Sequence, residues 1–196
     1  MNTESVVSIM VDNSGSMDRG NKGLYAQRMC IGLGKTLERM GIPFEILGFT
    51  TRNSGGQKGG VRISPIHINE IKTFESRFQP HRALFPYDVS SGNADMELMS
   101  IMIARLKDRP EPKKIFFGIS DGAPCGNGYP NYDDLYASMI EQAKQDGIYV
   151  YGFGIGSGAR VERYYGKDCS TTIHTGNVKT FPATVMEQLT KLLGST

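Results

Sequence analysis

Long apolar runs are missing from this sequence. No stretch approaches the roughly 18 consecutive apolar residues of a membrane span, and the opening MNTESVVSIM has neither the basic start nor the apolar core of a secretory leader. A soluble, unprocessed chain is the expectation. Cysteine is scarce as well: Cys30, Cys125 and Cys169 are odd in number and far apart. That excludes a disulfide framework and a CxxC metal pair, and it fits a reducing cytoplasm. Charge of one sign is lacking too, since 22 Lys and Arg face 20 Asp and Glu for a formal +2, and the basic residues are scattered rather than striped. No electrostatic footprint for nucleic acid results. Internal repeats, linkers and low-complexity tails are also absent. What remains is ordinary globular usage, 39% hydrophobic and 21% charged over 196 residues, which predicts one core and one domain across residues 1–196.

Short apolar runs alternate with segments of helical period. Strands are predicted at 6–11 (VVSIMV), 44–49 (FEILGF), 114–120 (KIFFGIS) and 148–155 (IYVYGFGI), with a weaker one at 171–175. Helices are predicted at about 24–40, 94–107, 133–146 and 182–193. Strands that are apolar throughout, each followed by a helix, belong to a mostly parallel sheet covered on both faces. The predicted class is therefore α/β, doubly wound and Rossmann-like. Residues 50–92 are less regular: TTRNSGGQKGG is polar and Gly-rich, HINEIKTFESRF has the spacing of a short helix, and FPYDVSSGN forms a second loop. An insertion of that length is often functional.

Ligands of open parallel sheets collect beyond the carboxyl ends of the strands. VDNSGSM (11–17) meets that condition, with Asp12 where the first strand ends and Ser14 and Ser16 behind it; Asp121 holds the equivalent place in KIFFGISDG. Two acids and two hydroxyls are all-oxygen donors, which suit a hard divalent cation such as Mg²⁺. With hydroxyls binding directly and carboxylates acting partly through water, such an ion keeps a position for a carboxylate from another molecule. Asp and Ser also serve as turn and N-cap residues, so their position at a strand end, and not the string alone, carries the argument.

DNSGSM resembles the metal-ion-dependent adhesion site (MIDAS) of von Willebrand factor A (VWA) domains, and ISDG resembles that site's later strand-end Asp. GIPFEILGFTTR, SSGNADMELMSIMIARL, KKIFFGISDGAP and ARVERYYG, in this order, are similar to the carboxy-terminal domain of the cobaltochelatase T subunit, CobT, from about Val6 to Leu193. The resemblance implies a VWA fold with a divalent ion, Mg²⁺ or else Mn²⁺ or Ca²⁺, above the sheet. It places direct ligands on Ser14 and Ser16 and water-mediated ones on Asp12 and Asp121. The family's usual third loop carries a Thr, whereas SSGNADMEL offers Asp95, with Asn93 as second choice; helix capping by either residue is the competing account. An Asp there implies a tighter ion with a weaker pull on an outside carboxylate.

The resemblance further implies a non-catalytic adaptor that works with an AAA+ ATPase of the CobS type and completes its metal site with a carboxylate of a protein partner. No membrane or nucleic-acid partner is expected. The first strand opens at residue 6, so the amino-terminal region and acidic linker of full T subunits are not expected ahead of it. A free-standing adaptor is then as plausible as a part of a chelatase.

The competing class is an enzyme. GLGKT (32–36) ends like a P-loop, but Met29 stands where the first Gly belongs and the string lies within a predicted helix. GIGSGA (154–159) fits G-x-G-x-x-A after a strand, yet RVERYYG follows in place of an apolar helix. A magnesium phosphohydrolase with Asp12 as nucleophile is the stronger rival, although the loop offers Ser14 and Ser16 where a second acid is wanted. His67, His81 and His174 have no ligand spacing, Met96, Met99 and Met102 fall at core spacing, Tyr164 and Tyr165 suit packing, and Asp133 and Asp134 suit a helix start.

Overall fold

The computed structural model of the chain describes residues 4–51, 57–58, 61–62, 65–85, 93–122, 131–156, 159–175 and 181–194. Most of the GGQKGG tip, residues 86–92 of the second loop, and Cys125 lie outside them.

The apolar runs form the strands β1 (Ser5–Asp12), β2 (Phe44–Thr51), β6 (Lys113–Ser120) and β7 (Ile148–Ile155), and the weaker run forms β8 (Ser170–Ile173). The periodic segments form α1 (Lys22–Met40), α2 (Asp95–Lys107), α3 (Tyr132–Gln145) and α5 (Phe181–Gly194); VERYY adds the short α4 (Val161–Tyr165). A six-stranded sheet runs β5-β2-β1-β6-β7-β8, and every pairing in it is parallel except that of β5 (Ile66–Lys72) with β2. All eight residues of β1 are buried. Alternation along β1 feeds two cores: Val7, Ile9 and Val11 pack with Met29, Leu33 and Leu37 of α1 and Leu189 of α5. Val6 and Met10 pack with Leu98, Met102 and Leu106 of α2 and Ile140 of α3. The doubly wound expectation holds, as does the expectation of a core role for Met99 and Met102, both fully buried.

Residues 66–72 are not the short helix expected from HINEIKTFESRF. They form the antiparallel edge strand β5, whose register against β2 shifts between Ile46 and Leu47. Ile66 and Ile68 lie against the α2 side and Ile71 against the α1 side, because the bulge swings the chain over by one residue. A two-then-three spacing of Ile results, which imitates a helical period. A second small hairpin, β3 (Gln57–Lys58) with β4 (Val61–Arg62), occupies the polar insertion.

Chain ends of helices follow their local chemistry. Gly41 adopts φ +69° after α1, and the Ile42 amide closes back on the Leu37 carbonyl at 3.0 Å. GLGKT lies inside α1, away from any strand end. Tyr164 and Tyr165 are buried. The Tyr165 ring covers Gly118 of β6 and Gly152 of β7, which face one another in register, and its hydroxyl meets that of Tyr136 at 2.9 Å.

A buried polar network links β1, β2 and α2. Glu45 is fully buried on β2, where the Ser8 hydroxyl donates to Oε1 at 2.6 Å and Arg105 Nε to Oε2 at 2.8 Å. Among the described residues no helix is long and apolar enough to cross a membrane.

Candidate metal centre

The order of the sheet reverses direction between β1 and β6, since the chain moves from β1 outward through β2 on one side and from β6 through β7 and β8 on the other. A crevice opens above such a switch point. Asp12, the last residue of β1, and Asp121, the residue after β6, both stand there.

The loop after β1 is shaped by its own polar atoms. The Asn13 amide extends the ladder to the Phe49 carbonyl at 2.9 Å. Its side chain lies over Gly48, where a Cβ would come within 2.5 Å of Nδ2. The Ser14 amide donates to Asp12 Oδ1 at 2.7 Å, an Asx-type turn that folds the loop back over the strand end. Met17 is fully buried and anchors the following 3-10 turn, Gly15–Asn21. Gly20 (φ +64°) and Asn21 (φ +61°) then turn the chain into α1. The hydroxyls of Ser14 and Ser16 come within 3.0 Å of one another. Ser14 is buried and Ser16 is exposed.

Lys22, the first residue of α1, closes the far side. Its Nζ donates to Asp121 Oδ2 at 2.8 Å and to the Ser16 carbonyl at 3.2 Å. Gly122 (φ +74°) lets the chain leave β6 tightly under residue 159, where a Cβ would stand 2.9 Å from the Ala159 Cα.

Asp12 Oδ2 and Asp121 Oδ1 are buried without a hydrogen-bond partner. Unpartnered buried carboxylate oxygens are costly. The cost is visible at Asp12, whose carboxyl is pushed up to about 7, chiefly by burial and further by the neighbouring Asp121; hydrogen bonds from Ser14 and the charge of Lys22 pull the other way. Two orphaned acid oxygens beside two hydroxyls fit a hard divalent cation, which would neutralise the acids either directly or through bound water.

Of the five expected site residues, Asp12, Ser14, Ser16 and Asp121 are joined through the contacts above. Asp95 is the first residue of α2 and is buried. Its charge reaches Tyr136 and Tyr165, making both hydroxyls harder to ionise on top of the larger effect of burial. Ala94 holds the N-cap position and makes no side-chain cap hydrogen bond, while the Met96 amide in the first turn of α2 donates to the Tyr132 hydroxyl at 3.0 Å. Asn93 is buried next to them. Among the described residues no three His, Cys, Asp or Glu side chains gather into a metal-holding group, so two acids and the hydroxyls are what the observed geometry joins. His67, His81 and His174 are exposed and dispersed. Lys22 was missed from the sequence, where only its place six residues after Ser16 signals it.

Solved structures with this architecture include the manganese-loaded TRAP protein of Plasmodium vivax, 15% identical over 94% of this chain and 74% of that one, with a TM-score of 0.64. Proximal thread matrix protein 1 of the mussel byssus, with zinc in its MIDAS motif, is 14% identical over 94% of this chain and 48% of its own, with a TM-score of 0.62. The pilus adhesin SpaC of Lactobacillus rhamnosus GG is 13% identical over 98% of this chain and 31% of its own, with a TM-score of 0.66. The chain thus spans less than half the length of the byssus protein and of the adhesin. At these identities the likeness is one of fold, and the fold is that of VWA domains. The model of one VWA family, described as the cobalamin biosynthesis protein CobT VWA domain, matches residues 1–195. The chain belongs to that family.

Proposed function

We propose that residues 1–196 act as one metal-dependent protein-binding domain, in which Ser14 and Ser16 hold Mg²⁺ directly, Asp12 and Asp121 hold it mainly through water, and Asp95 completes the third loop. One observation supports this above the others: Asp12 Oδ2 and Asp121 Oδ1 are buried and unpartnered at the switch point beside the Ser14–Ser16 hydroxyl pair. An ion bound there supplies Lewis acidity toward a carboxylate of a partner protein. The chain's own residues do the rest. The Asx turn fixes Asp12, the buried Met17 fixes the loop, and Ser14 and Ser16 contribute neutral hydroxyls.

The family's name concerns cobalamin biosynthesis, and an AAA+ ATPase of a chelatase-like complex in the cytoplasm is the partner we assign to this surface. The phosphohydrolase alternative needs an accessible nucleophile and a second acid available for proton transfer. Asp12 is fully buried and Asp121 is paired with Lys22, so the binding function is better supported. The segment from Thr50 to Gly92 is the proposed specificity surface.

Calorimetric titration of metal-free protein with Mg²⁺ tests the proposal. One saturable site is expected in wild type and none in a folded Asp12→Ala/Ser14→Ala variant. Equal binding by both, or none by wild type, overturns it.

A further inference from the structure

Lys22 is the cation that already faces the acids, and it sits where a lysine is out of place. The amino-terminal turn of α1 carries no acidic residue, and a positive charge there opposes the helix dipole. Something specific must hold the ammonium. Its partners are Asp121 Oδ2 and the Ser16 carbonyl, one from each of the two loops that would embrace a metal ion. The stem runs beside Gly156 just after β7, with Cε 3.5 Å from the position a Cβ would take there. At 24% exposure for Lys22 and 6% for Asp121 the pair is largely withdrawn from water.

We infer that Lys22 is a tethered counter-ion that competes with the divalent cation for Asp121, so that filling the site exchanges an ammonium for a metal ion. The inference rests on the divalent-cation function proposed above. Asp121 has one oxygen on Lys22 and one without a partner. A metal ion drawn to this carboxylate meets a positive charge within hydrogen-bond reach of it. Repulsion between the two cations favours withdrawal of Nζ toward solvent along its flexible stem, and the ion pair with Asp121 is lost in that exchange. The tether therefore lowers metal affinity while keeping the carboxylates compatible with the fold in the absence of metal.

The test is calorimetric Mg²⁺ titration of EDTA-stripped wild type, Lys22→Met and Lys22→Arg at one ionic strength, with melting temperatures in EDTA and in Mg²⁺. Lys22→Met keeps an apolar stem and removes the charge. It should bind Mg²⁺ on the order of tenfold more tightly, the equivalent of one largely buried ion pair. It should also melt lower in EDTA and gain more from Mg²⁺, while Lys22→Arg should show no tightening. Equal or weaker Mg²⁺ binding by Lys22→Met overturns the inference and makes Lys22 a support for Asp121 in both states. Absence of binding by wild type overturns the metal site itself, and the inference with it. Should Lys22→Met fail to fold, the ¹³Cε resonance of Lys22 in wild type decides: movement to the position of a solvated lysine on adding Mg²⁺ supports the exchange, and an unchanged resonance refutes it.

Discussion

Replacing Asp12 with Asn should stabilise the metal-free protein at neutral and alkaline pH. Burial and the neighbouring Asp121 lift the Asp12 carboxyl from 3.8 to about 7, so the folded chain keeps a proton that the unfolded chain has already released. Between those two values the folded state binds more protons, and stability falls as pH rises through the window. At 1.36 kcal/mol per unit, a shift of roughly three units amounts to about 4 kcal/mol. That destabilisation is complete above about pH 7 and absent below about pH 4. Asn retains an oxygen for the Ser14 amide and brings no charge to bury. Urea unfolding in EDTA across this range should show the variant gaining on wild type as pH rises, by up to about 4 kcal/mol. The difference between the two proteins cancels Glu45, also raised by burial, and Glu111, lowered by Arg109. With Mg²⁺ at about 100 times its dissociation constant, wild type alone should recover about 2.7 kcal/mol. A variant no more stable than wild type at about pH 8 in EDTA, or a difference that ignores pH, refutes the reasoning.

Other perturbations follow from the same geometry. Asp95→Ala should weaken Mg²⁺ binding by about tenfold in calorimetry, one charged ligand's share; unchanged affinity removes Asp95 from the site and shifts attention to Asn93. Glu45→Ala strips the buried Ser8 hydroxyl and the half-exposed Arg105 of their acceptor, for a loss of about 1 to 2 kcal/mol in urea unfolding, and a loss below about 0.5 would show that the network contributes nothing. Met102→Ala removes a fully buried side chain between α2 and the sheet and should cost about 2 to 5 kcal/mol. The Cys30 thiol is buried and pushed up to about 12, so a thiol reagent should label Cys169 in the native protein and reach Cys30 only on unfolding.

The parallel strands and their helices were legible because burial on both faces writes itself as short uninterrupted apolar runs: KIFFGIS and IYVYGFGI differ from the observed β6 and β7 by at most one residue at an end. Asp12 and Asp121 were legible for the same reason, as the first polar groups beyond such runs. β5 was not, since its bulge breaks the two-residue period that marks a strand. Nor was the Ser8–Glu45–Arg105 network: a charge inside FEILGF has no local partner, and its partners lie 37 and 60 residues away. Lys22 shares this difficulty, with its acid 99 residues distant. Periodicity reports which face is buried; it says nothing about which polar groups meet there.

Gly118 and Gly152, set side by side under the Tyr165 ring, also constrain the routes by which this sequence can change. A methyl at Gly118 would stand 2.9 Å from Tyr165 Cζ, and one at Gly152 would stand 2.6 Å from Cγ, so either gain clashes as long as the tyrosine stays. Once Tyr165 is reduced to a small residue the space beneath it is free, and the same methyl groups become fillers of a void. The sign of each glycine substitution thus depends on what occupies residue 165.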